Sequence, residues 1–74
     1  MCYLIAKDFQ KEGCLAVEAE RGKELASLIS YLGHKTLDKG IQILTVTDKD
    51  VYGEYKPYHM VDSEAEFISK VLAM

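Results

Sequence analysis

Leu25, Leu28, Ile29 and Leu32 recur at i, i+3, i+4 and i+7. That spacing gathers apolar side chains on one face of a helix with 3.6 residues per turn. The stretches around it follow a different rule. Residues 2–9, Cys-Tyr-Leu-Ile-Ala-Lys-Asp-Phe, and 14–20, Cys-Leu-Ala-Val-Glu-Ala-Glu, are rich in strand formers. Residues 41–47, Ile-Gln-Ile-Leu-Thr-Val-Thr, are denser still in β-branched side chains and open after Gly40. A chain that alternates these two patterns must bury helices against a sheet, which confines it to the α+β class.

The connections refine the order. Lys11-Glu12-Gly13 suits a short hairpin loop with glycine at the left-handed position. The first helix stops either at Gly33 or before Gly40. Leu37, eight residues past Ile29, favours the longer helix. Asp48, Lys49 and Asp50 form a polar turn. A less regular strand covers residues 55–61, with Pro57 placing it at a sheet edge or a bulge. Ser63 and Glu66 stand at capping-box spacing, Glu64 adds negative charge at the helix start, and Phe67, Ile68, Val71 and Leu72 form the last buried stripe. The order is β-β-α-β-β-α, two hairpins each followed by a helix. It implies a two-layer α+β fold: a mainly antiparallel four-stranded sheet with both helices packed on one face, in a single domain over residues 1–74.

Two helices cover one side of such a sheet, yet apolar residues point both ways. Tyr3, Ile5, Phe9, Leu15, Val17 and Ala19 are assigned to one face of the first hairpin. Cys2, Leu4, Ala6, Cys14 and Ala16, with Leu44 and Val46 of the third strand, are assigned to the other. An uncovered apolar face calls for a partner, and a second copy related by a two-fold axis is the simplest one. A homodimer through Cys2, Leu4, Ala6, Cys14, Ala16, Leu44 and Val46 is therefore expected.

Residues 52–59 concentrate the remaining unusual chemistry. Three of the five tyrosines, the single proline and one of the two histidines fall there. Tyr52, Tyr55 and Tyr58 would supply flat contact area, with Glu54, Lys56 and His59 at the rim. The same rings could instead plug one edge of the core. A binding surface for a protein or peptide is the leading expectation. The alternative is a small-molecule or minor enzymatic site between this segment and a helix.

Other chemistries lack support in the sequence. The net charge is −3 and Arg21 is the one arginine, so the clustered cations that bind phosphate are missing. Cys2, Cys14, His34 and His59 show no metal-ligand spacing, and no metal, cofactor or catalytic residue is implied. Two cysteines at opposite ends of a hairpin ladder, roughly 20 Å apart, cannot form a disulfide. No stretch reaches the roughly 20 apolar residues of a membrane span.

The opening Met1-Cys2 resembles the N-terminal-nucleophile amidohydrolases, in which a freed amine serves as base to the thiol. The likeness ends at Tyr3, where those enzymes carry glycine, and they need a far larger sandwich. Met-Cys-Tyr-Leu-Ile-Ala at the start and Tyr-Gly-Glu-Tyr-Lys-Pro-Tyr later resemble a family of small uncharacterised bacterial proteins of about this length. That resemblance implies a bacterial, cytoplasmic protein and assigns no activity to any residue.

Overall fold

The computed structural model describes residues 2–48 and 53–74. It contains β1 (Cys2–Asp8), β2 (Cys14–Ala19), α1 (Lys23–Thr36), a 3-10 turn at Leu37–Lys39, β3 (Ile41–Val46), a second 3-10 turn at Gly53–Tyr55, β4 (Tyr58–Met60) and α2 (Glu64–Ala73). The four strands form one sheet in the order β3-β1-β2-β4. β1 runs antiparallel to both β2 and β3, while β4 lies parallel to β2. The α+β class and the largely antiparallel sheet agree with the sequence pattern. The second expected hairpin does not form. β3 and β4 sit at opposite edges of the sheet, so they do not pair with each other.

The first hairpin turns through Gly13 at φ 80°, a left-handed position that glycine takes without steric cost. Asp8 organises the approach. Its carbonyl accepts from the Lys11 amide at 2.9 Å and its carboxylate from the Gln10 amide at 3.0 Å. The strands end at Asp8 and Cys14, leaving a loop two residues longer than the sequence implies. Pairing with β2 begins inside those ends: Ala6 faces Leu15, Leu4 faces Val17 and Cys2 faces Ala19.

Residues directly opposite in a ladder share a face. The helix side therefore carries Cys2, Leu4, Ala6, Leu15, Val17 and Ala19, and the far side carries Tyr3, Ile5, Cys14 and Ala16. The expected grouping paired odd with odd positions, and this register pairs odd with even. Cys2, Leu4 and Ala6 accordingly lie beneath the helices and not on a dimer face. One residue of slip exchanges the faces of a strand.

Both helices pack on that first face, α1 on β3 and α2 on β2. Leu25 and Leu32 of α1 and Phe67 and Val71 of α2 fill one core with Leu4 and Val17. Leu37 does not join it. Eight residues carry a helix about 80° past two full turns, so Leu37 rotates out of the Ile29 row and is 76% exposed. Thr36 is buried instead, its hydroxyl donating to the Leu32 carbonyl at 2.7 Å. Gly40, at φ 70°, then releases the chain into β3.

Ser63 caps α2 as expected, its Oγ accepting from the Glu66 amide at 3.1 Å. The Glu66 carboxylate reaches back one residue further than the usual capping box, to the Asp62 amide. Lys39 closes the other end, its Nζ donating to the Leu72 carbonyl at 3.1 Å.

Candidate interaction surfaces

The second face of the sheet is covered by the chain itself. Tyr55, in the second 3-10 turn, packs there on Ile5, Cys14, Ala16 and Val46. Tyr55 is only 4% exposed. Its hydroxyl donates to the Gln42 side-chain oxygen, which satisfies the polar end of a buried ring. Phe9 stands edge-on to it, ring centroids 6.0 Å apart at 80°. Tyr3, Leu44 and Tyr58 pack half-buried around this plug.

The tyrosine segment is thus divided. Tyr52 lies outside the described residues. Glu54 and Lys56 are exposed, Tyr55 is core, and Tyr58 is half-buried opposite Cys14 on the second face. His59 alternates to the other face, opposite Leu15. Tyr55 and Tyr58 fill space instead of lining it. The sheet separates them from both helices, so a pocket between this segment and a helix does not form among the described residues. Cys14, Ala16 and Val46 do share the second face with Leu44, but Tyr55 already buries the first three.

Lys7 is the unforeseen member of this face. It is 6% exposed, and its Nζ donates to the carbonyls of Lys11 at 2.7 Å and Gly13 at 3.0 Å. Two carbonyls plus the Phe9 ring, 5.8 Å away, replace the water that a buried ammonium loses. Its role is to hold the hairpin turn. Burial pushes the Cys14 thiol above its ordinary pKa, an effect that the nearby Lys7 charge opposes. A thiol so disposed is a packing group and not a nucleophile. Cys2 and Cys14 are both buried and free.

No group of side chains suited to a metal ion occurs among the described residues, and no helix there is long and apolar enough to cross a membrane. Glu18, Glu20, Glu24 and Glu64 line a hollow of about 290 Å³ with Ala19 and Leu25. These carboxylates gather where α1 and α2 both begin, the end of a helix that favours negative charge.

The sheet edges differ sharply. β4 is three residues long and is entered through the cis Lys56–Pro57 bond. β3 spans six residues, Ile-Gln-Ile-Leu-Thr-Val, with no charge and no proline. β1 lies on one side of it, and among the described residues no strand lies on the other. Edges of soluble sheets are ordinarily guarded by lysine, proline, a bulge or shortness. β3 has none of these guards. The sequence carried the signal in the uncharged run at 41–46, but nothing in it said that this strand ends the sheet.

The architecture is that of a small two-layer α+β domain with an open sheet edge and no assembled catalytic constellation among the described residues. By sequence the chain belongs to DUF6718, a family of unknown function, whose pattern it matches over residues 1–74. No curated protein is matched by the sequence.

Proposed function

We propose that this chain is a non-enzymatic protein-interaction module that takes an extended segment of a partner polypeptide along the outer edge of β3. The observation that carries this reading is the unguarded edge itself: six consecutive residues without charge or proline, flanked by β1 alone among the described strands. Strand addition uses such an edge directly. Main-chain hydrogen bonds supply affinity, and alternate side chains supply selectivity.

Each face of β3 offers one exposed polar and one half-buried apolar side chain. Gln42 and Thr45 are exposed, while Ile43 and Leu44 are half-buried. An added strand would extend both apolar faces, meeting Ile43 on the helix side and Leu44 on the tyrosine side.

The test is selection from a displayed library of random short peptides, followed by affinity measurement with the intact chain and with Thr45→Lys. Thr45 is exposed, so the lysine guards the edge without disturbing the core. Selected peptides should lose about tenfold or more in affinity, roughly 1.4 kcal/mol. Peptides that bind both proteins equally would refute the β3 site.

A further inference from the structure

We infer that the polypeptide taken up at β3 is a second copy of this chain, joined β3 to β3 about a two-fold axis perpendicular to the sheet. This rests on the strand-addition reading and names its partner. Three features of the same side of the molecule support it.

The first is the helix above that edge. Glu24 and Leu25 line a hollow with Glu64 of α2, so that flank of α1 turns toward α2. At about 100° per residue, Ala26, Ser30, Gly33 and Leu37 fall on the opposite flank. α1 packs on β3, which sets this flank along the open edge. It is small except at its end. A second helix can approach such a surface closely, because side-chain size at the contact sets the distance between packed helices.

The second is Gly33. A Cβ built there would meet nothing within 4 Å, so packing within one copy does not require glycine. Its place inside a helix costs about 1 kcal/mol relative to alanine. Close contact with a second α1 would account for it. Leu37, 76% exposed, borders a hollow of about 350 Å³ with Ser30, Gly33 and His34, and a second copy would cover it.

The third is charge. Glu18, Glu20, Glu24, Asp62 and Glu64 lie at the end of the molecule where α1 and α2 begin, answered by Arg21 and Lys23. Lys7, Lys11, Lys35, Lys39, Lys56 and Lys70 lie toward the opposite end, where they outnumber Asp8, Glu12, Asp38 and Glu54. Antiparallel pairing of two β3 strands sets the acidic end of each copy beside the positive end of the other. Complementary fields of this kind fix orientation more than they add affinity. The perpendicular axis also keeps both helix layers on one side, so opposed residues share parity and the register centres on Ile43 or Leu44.

Sedimentation velocity on the intact chain from low to high micromolar concentration tests the assembly. The wild type should dimerise, more weakly as salt rises. Thr45→Lys and Gly33→Leu should each raise the dissociation constant about tenfold or more, with thermal melts confirming that both variants fold. A strict monomer at high micromolar concentration overturns the inference, as does a dimer that neither substitution weakens. A monomer whose peptide binding is still lost in Thr45→Lys would end the two-fold assembly and leave strand addition standing. A dimer indifferent to Thr45→Lys, in a chain that takes no peptide, would remove both.

Discussion

At one edge the sheet ends in β4, three residues entered through Pro57; at the other it ends in β3, six residues without proline or charge. β4 is held to β2 along its inner side. The Pro57 carbonyl accepts from the Cys14 amide at 3.1 Å, and the Val61 amide donates to the Ala16 carbonyl at 2.9 Å. A strand arriving there finds little backbone to pair with. A strand arriving at β3 finds an edge about 20 Å long. Two edges of one sheet therefore meet the same hazard differently, and the proposed partner is assigned to the unguarded one. The two faces teach a related lesson. Helices cover one, and a single buried tyrosine with its neighbours covers the other, so neither face is left as the bare apolar surface that the sequence pattern implied.

Breaking that second cover should give the largest effect. Tyr55→Ala removes the ring that seals Ile5, Ala16 and Val46 and should cost about 3–5 kcal/mol, read as a fall in the denaturant midpoint. Tyr55→Phe, which keeps the ring and loses the hydroxyl bond to Gln42, should cost about 1 kcal/mol. Equal losses in the two variants would mean that the hydrogen bond, and not the packing, seals the face.

Loosening the β4 edge comes next. Gly13 holds φ 80°, and a Cβ there would stand 2.6 Å from the Pro57 carbonyl oxygen. Gly13→Ala should destabilise the fold by about 2 kcal/mol. Amide exchange should localise the loss to the hairpin turn and to residues 57–60, leaving β3 unaffected. A stabilised Gly13→Ala protein would contradict the close approach of Pro57 that anchors this edge.

Local chemistry made much of the fold legible in the sequence. The strands at 2–8, 14–19 and 41–46 follow from β-branched and apolar runs, and Gly13, Gly40 and Ser63 mark turns and a cap by their own conformational or hydrogen-bonding preferences. What escaped was set by relations between distant residues. Register depended on which residues of β1 and β2 face each other: Cys2 faces Ala19 and Ala6 faces Leu15, an odd offset from the expected odd-with-odd grouping that places Cys2, Leu4 and Ala6 beneath the helices. Leu37 looked internal by sequence spacing but lies about 80° off the Ile29 row. The order β3-β1-β2-β4 could not be read from segments that resembled two hairpins. Tyr55, expected to offer contact area, packs on the second face as core instead. Lys7 escaped because its partners are main-chain carbonyls, which carry no residue code.

The central claim is that the outer edge of β3 accepts the β3 strand of a second copy, and amide hydrogen exchange on the intact chain at low and high micromolar concentration addresses it most directly. The account predicts that alternate amides within Ile41–Val46, those pointing away from β1, gain protection as concentration rises while β4 does not change. Protection that stays constant along β3, or that rises at β4 instead, would contradict it.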